Sequence, residues 1–292
     1  MLMVSVSFFF EFSSSVILRA TSLKWATGFS YSFSSSSKYP EARKEILRLH
    51  AGNKPLDEVD LVSVAKETFG FSGAQLESVA NEAAILAMRE QMQKIQHRHF
   101  IEAIDKVILG EKLECRPDKD ELWRVAVHEI GHALASELWR PGSVSIITTT
   151  PRGKALGYMR QSPERDSYLY TQEYLEGQIA IMVAGAAAEE IVLGNRSTGS
   201  ANDFQQAIEA SKRIVAAGMS SLGVVSLDDL PAGLLHKVIQ QIIADQQEHV
   251  KQQLSLQREL LTALAEILLL EEKLTGDFLR CQLFGEAKEN IA

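Results

Sequence analysis

His128 and His132 stand four residues apart, with Glu129 between them, in the run Val127-His128-Glu129-Ile130-Gly131-His132. On a helix of 3.6 residues per turn that spacing projects both imidazoles from one face, so both can reach one metal ion. Glu129, one position along, points toward the open side of that metal. Zinc lowers the pKa of its bound water to about 7, and an adjacent carboxylate can take the proton and hand it to a leaving amine. The run therefore encodes two ligands and a general base, the chemistry of zinc-dependent peptide hydrolysis. Val125, Val127, Ile130, Ala133 and Leu134 make the surrounding helix apolar nearly all round, which signals burial. Two histidines and a carboxylate buried without partners are costly, and a metal removes that cost.

A hydrolytic zinc needs a third protein ligand and one position free for water or the scissile carbonyl. The metzincin pattern would place a Gly and a His three and six positions after His132, but Ala135 and Leu138 stand there. Glu189, Glu190 and Asp203 each supply a carboxylate from a distant helix, and spacing does not choose among them.

The elements that must position these groups are mostly helical. Apolar periodicity and breakers predict helices over Glu41–His50, from a cap at Asp60 to Phe69, over Ala74–Gln93 behind a Ser72 cap, and over His99–Leu109. Asp118 opens the metal helix, which Pro141-Gly142 stops after Trp139. Val144–Thr150 and Ala155–Gln161 read as two strands of a small sheet or hairpin. Further helices are expected over Thr171–Leu193, from Asn202 or Asp203 to Met219, over Leu234–Leu270 with a break near Leu254, and over Thr275–Phe284. The small-residue centre Ala184-Gly185-Ala186-Ala187-Ala188 suggests close packing against another helix. In the Leu234–Leu270 tail an apolar stripe through Leu260, Leu264, Ile267 and Leu268 is expected to pack on the core, with a neighbouring subunit as the alternative. His50, His97, His99, His236 and His249 are assigned no role.

Composition sets the class. At 292 residues and 46% apolar the chain can build a large core, so it is globular. Its 38 acidic against 30 basic residues, with no cationic block, argue against nucleic acid as a partner. Two cysteines, Cys115 and Cys281, without a CxxC spacing, build neither a disulfide framework nor a thiolate zinc site, and a reducing compartment fits. Residues 1–38 are a compositional outlier, rich in Ser, Phe and Val. Glu11, the serine runs, Arg19 and Lys24 interrupt every window of roughly 20 residues, so no membrane span is read there. The segment is expected to be a disordered or targeting leader outside the core.

Five runs, in this order, resemble the FtsH-type ATP-dependent zinc metalloproteases, in which an AAA ATPase module is fused to a helical peptidase domain. They are Val127–Ala133, Lys154-Ala155-Leu156-Gly157-Tyr158, Ala187-Ala188-Glu189-Glu190-Ile191, Ser197–Asp203 and Gly218-Met219-Ser220. The resemblance implies that Asp203 is the third ligand, so that His128, His132 and Asp203 bind zinc and Glu129 activates the zinc-bound water. Glu189 then becomes a candidate for holding a histidine or the third ligand in place, against the plainer role of a helix-packing acid. The strand from Ala155, with Tyr158, resembles an edge to which an extended substrate adds. Where the family has Gly-Gly-Arg before its Ala-Ala-Glu, this chain reads Ala184-Gly185-Ala186.

Phe71-Ser72-Gly73-Ala74-Gln75-Leu76-Glu77, with Asn81-Glu82-Ala83-Ala84, resembles the lid that follows the nucleotide-binding core in these proteins. No G-x-x-x-x-G-K-[ST] loop occurs in the 292 residues, so ATP hydrolysis and tight ATP binding are not expected of this chain alone. The implied fold is mainly α: a leader over 1–38, an AAA lid-like helical subdomain over 39–113, and a helical zincin-like peptidase domain with a small sheet over 114–292. The implied function is a zinc metalloendopeptidase degrading unfolded polypeptides, against an inert fragment that only associates with full-length relatives. Zinc is the implied cofactor, with ATP entering only in the complete architecture. Homo-hexamers or association with full-length relatives are the implied assemblies. Family members are usually membrane-anchored, which leaves a cytoplasmic or organellar interior open for this chain.

Overall fold

A computed structural model of the chain describes residues 39–113, 117–153, 155–162 and 169–285. The expectations for residues 1–38, and for Lys154 and Cys115, lie outside the described residues. The fold is mainly α, with ten helices and five short strands among the described residues.

The first layer is helical. α1 (Pro40–Ala51), α2 (Leu61–Glu67), α3 (Gly73–Arg89) and α4 (His97–Leu109) enclose one apolar cluster built on Leu47, Leu76, Phe100 and Ile104. The starts of these helices are written locally. Asp60 accepts from the Val62 amide, and Ser72 and Gln75 form a reciprocal capping box at α3. Two strands that sequence periodicity does not reveal, β1 (Leu56–Asp57) and β2 (Ile95–Gln96), pair in parallel and tie the α1–α2 connection to the α3–α4 connection. Each is two residues long, too short for an alternation to register.

A second cluster gathers around α5 (Lys119–Trp139) and α6 (Gln172–Leu193). Asp118 and Thr171 cap them through the Glu121 and Tyr174 amides. The two helices lie unusually close because their contact is made of small residues: a Cβ on Gly131 would sit 2.4 Å from Ala188 Cβ and 2.8 Å from the Ala184 carbonyl. α7 (Ala201–Ala216), α8 (Ala232–Leu256) and α9 (Arg258–Glu271) complete the layer, the last two separated at Gln257, three residues after the expected break. Leu264 and Leu268 of the tail stripe are fully buried in this core and Leu260 packs against it.

Beside α5 lies a three-stranded antiparallel sheet in the order β4-β3-β5, formed by β3 (Val144–Thr148), β4 (Tyr158–Gln161) and β5 (Lys273–Thr275). The expected hairpin thus has a third member, which pairs Ile147 with Leu274 and leads directly into α10 (Gly276–Phe284). β4 is shorter than expected because Ala155 turns back to bridge Arg152 before the strand begins. The turn between α5 and β3 is fixed by Glu137, a fully buried carboxylate. It accepts from the Gly142 amide at 2.7 Å, the Val144 amide at 2.9 Å and Arg280 of α10 at 2.8 Å. The sheet is thereby locked to the C-terminal end of the metal-motif helix. Among the described residues no helix is long and apolar enough to cross a membrane.

Candidate metal centre

α5 presents His128 and His132 one turn apart toward α6 and α7, and Asp203 approaches from the first turn of α7. The His128 and His132 Nε2 atoms are 3.0 Å apart, and Asp203 Oδ2 lies 3.2 Å from the first and 3.5 Å from the second. One ligand atom from each of the three residues falls within 4.8 Å of the others. Both histidines are oriented by their far nitrogens: His128 Nδ1 donates to Glu189 Oε1 at 2.9 Å, and His132 Nδ1 donates to the Ile181 carbonyl at 2.7 Å. A proton committed at each Nδ1 leaves the Nε2 lone pairs facing one point, opposite a carboxylate. Two imidazoles and one carboxylate converging at that distance are a donor set suited to zinc. Sequence spacing had left Glu189, Glu190 and Asp203 open; Asp203 meets the two Nε2 atoms, Glu189 meets the back of His128, and Glu190 pairs with Arg196 and Lys251 away from them.

Glu189 is 1% exposed and fully engaged. Arg124, one turn before His128 on α5, donates to its Oε2 at 2.7 Å and also binds the Asn195 side chain, while Ser197 donates to its Oε1 at 3.0 Å. Burial works against its ionisation, but the bonds from His128 and Arg124 hold its carboxyl below the ordinary range. The same group therefore orients His128 and anchors the loop that delivers Asp203. Gly185 of α6 supplies the room. A Cβ there would lie 2.5 Å from His128 Cε1 and 2.6 Å from each Nε2.

With protein groups alone, the charges are strongly coupled. Burial lowers the His128 pKa, yet Asp203 and Glu189 outweigh it and push it up to about 10. Asp203 is depressed below its usual 3.8: burial raises it, and the bonds from the two histidines win. Glu129 goes the other way, its carboxyl raised chiefly by burial against the apolar helix, with the two imidazoles pulling it down in part. The approach to β4 passes close by: a Cβ on Gly157, the residue before that strand, would lie 3.1 Å from Glu129 Cγ and 2.5 Å from Val125 Cγ1, so the start of this edge strand lies against the metal-motif helix.

Residues 116–235 match peptidase family M41, and residues 58–102 match the AAA+ lid domain. The chain is FtsH-like, an M41 peptidase region behind an AAA+ lid. The relatives agree. An ATP-dependent zinc metalloprotease FtsH 2 of Symbiobacterium thermophilum is 37% identical over 258 residues, covering 82% of this chain and 43% of its own length. An ATP-dependent zinc metalloprotease FtsH of Thermus thermophilus is 39% identical over 261 residues, covering 81% of this chain and 41% of its own length. An FtsH 3 of Sorangium cellulosum is 44% identical over 192 residues, or 64% of this chain and 32% of its own. The chain spans less than half the length of these relatives. The M41 region contains all four groups at the centre, His128, Glu129, His132 and Asp203.

The sequence assigned no role to Arg124, and named Ser197 only as the first residue of the Ser197–Asp203 run. Arg124 sits four residues before His128, the interval at which helix neighbours share a face, and that was the available signal.

Proposed function

We propose that this FtsH-like chain is a zinc-dependent endopeptidase that cleaves unfolded polypeptide. The observation that carries the reading is the convergence of two Nε2 lone pairs and the Asp203 carboxylate beside a buried Glu129. In this reading His128, His132 and Asp203 hold the metal, and Glu189 fixes His128 in the ligating tautomer. When bound, zinc supplies Lewis acidity that acidifies water and polarises the scissile carbonyl. Glu129 takes the proton of the attacking water and returns it to the leaving nitrogen, a role favoured by a carboxyl whose proton affinity is raised by burial.

The outer edge of β4 supports an extended substrate. An arriving chain pairs with that edge, main chain to main chain, beside Glu129. Recognition through the backbone requires an unfolded segment and tolerates many side chains. Residues 58–102 act as a lid whose nucleotide-binding partner region is not encoded by a G-x-x-x-x-G-K-[ST] run in these 292 residues, so cleavage by this chain alone is independent of ATP. In this reading the leader, lid and peptidase parts divide near residues 38 and 113.

The test is cleavage of casein and of an unstructured fluorogenic peptide by the purified chain, with zinc measured by atomic emission. One zinc per chain is expected, and Glu129→Gln loses about 10²–10⁴ in kcat with zinc retained. Equal cleavage by that variant overturns the role of Glu129, and a wild-type chain that binds no zinc overturns the reading.

A further inference from the structure

The two apolar clusters meet across a set of buried charges that the metal chemistry does not use. Arg160 of β4, 7% exposed, bonds Asp105 of α4, 1% exposed. Its Nε lies 3.0 Å from Glu67 Oε2 at the end of α2, and Ser145 of β3 donates to both oxygens of that same carboxylate at 2.9 Å. Tyr158, two residues before Arg160 and so on the same face of β4, lies beside the Asp105 carboxylate. A second link ties the β3–β4 connection to the same helix: Arg152, 3% exposed, bonds Glu102 of α4, which also pairs with Lys112. One face of β4 is thus nailed to the lid helices, while Gly157, the residue before Tyr158, lies against Glu129 of the metal-motif helix.

The arrangement is stiff for a physical reason. Among the described residues Arg160 is the cation paired with Asp105, through Oδ1, while Asp105 Oδ2 is buried without a hydrogen-bond partner. Leaving either charge buried and unpaired is costly, so α4 and β4 keep their spacing or the pair is lost.

We infer that Asp105 and Glu67, which belong to the lid helices, are positioning residues for peptide cleavage, acting through Arg160 to set the height of the β4 edge above the metal helix. The inference rests on the proposed function, since it takes the β4 edge as the substrate's docking strand. Its consequence is that the lid supports the peptidase mechanically. A shift of α4 is carried to the edge that the peptide must join, while the three ligands, held on α5 and α7, stay in place.

The experiment uses the full chain and an unstructured peptide substrate. Asp105→Asn, Arg160→Met, their double variant and Arg160→Lys are compared for KM, kcat, zinc content and amide hydrogen exchange of residues 158–161. The double variant leaves no unpaired partner within the Asp105–Arg160 pair, and Asn keeps an acceptor beside Tyr158, so it guards against loss of folding in the single variants. Expected are a rise in KM of about tenfold or more, kcat within about twofold, one zinc per chain and faster exchange confined to β4. The double variant should be no worse than either single one, and Arg160→Lys should recover part of the loss. Unchanged KM with wild-type cleavage intact overturns this inference alone, as does a loss in which kcat and zinc content fall while exchange of α5 quickens. A wild-type chain that cleaves nothing overturns the proposed function and this inference with it.

Discussion

Gly185→Ala isolates the metal centre from the fold more cleanly than any ligand substitution. In the interior of an exposed helix this change would stabilise by about 1 kcal/mol, because alanine has the higher helix propensity. At α6 the new methyl carbon would sit 2.5 Å from His128 Cε1 and 2.6 Å from both Nε2 atoms. Ordinary carbon contact begins near about 3.5 Å, so the rings must retreat by about 1 Å. Neither is free to do so at no cost, since each Nδ1 is fixed by Glu189 or by the Ile181 carbonyl. Overpacking of this kind typically costs about 1–3 kcal/mol. Metal–ligand distances tolerate only about 0.2 Å, and the cost therefore appears in zinc binding. The expected result is zinc affinity weakened by about 10²-fold, corresponding to roughly 2.8 kcal/mol, with a far-ultraviolet circular dichroism spectrum like that of the wild type. Competition with a chromophoric chelator measures the affinity, and urea denaturation measures the stability. A variant that is more stable and binds zinc as tightly as the wild type would refute the packing argument.

Glu189→Gln keeps an acceptor for His128 but removes the charge that Arg124 neutralises, and zinc affinity should fall about 10–100-fold in the same competition assay. Glu137→Gln weakens the charged bonds that fix the α5–β3 turn, and should cost about 1.5–3 kcal/mol in urea denaturation with the zinc ligands untouched. In chelator-treated protein, the raised His128 group contributes stability that is complete below its unfolded value of 6.5 and lost as pH rises toward about 10. The depressed Asp203 group contributes stability present above 3.8 and lost as pH falls further. Maximal stability of that form is expected between about pH 4 and 6.5, read from melting temperatures across pH. Zinc must also displace the His128 proton near neutral pH, so calorimetry in two buffers of different ionisation enthalpy should report release of about one proton per zinc.

The metal helix was legible because its information is local. Asp118, the apolar positions and the His128–His132 interval all act within a few turns, and the helix runs from Lys119 to Trp139 behind that cap. The approach of Asp203 was not encoded in any interval: it meets His128 across 75 residues of chain, and only the resemblance of Ser197–Asp203 to a known run singled it out. β5 escaped notice for a different reason. Lys273-Leu274-Thr275 is too short to show alternation, and the sharp turn before it is made by Glu272 at φ 59°, a left-handed conformation that sequence would assign to glycine or asparagine. The Asp105–Arg160 pair was illegible as well, since each residue reads as an ordinary surface charge until 55 residues of intervening chain bring them together. What periodicity delivers is the elements; which charges face each other is decided by their packing.

The third strand gives the molecule a clock. β3 carries the site edge on one side and β5 on the other, and Arg280 reaches back to the turn at Glu137. The chain emerges from the ribosome amino end first, at about 5–20 residues per second. His128, Glu129, His132 and Asp203 are all synthesised before Lys273 appears. Until then β3 lacks one neighbour, Glu137 lacks its cation, and the edge beside the metal helix has no backing. Pairings between residues far apart in sequence form late. The sheet that backs this edge is therefore closed only after His128, Glu129, His132 and Asp203 have all been made.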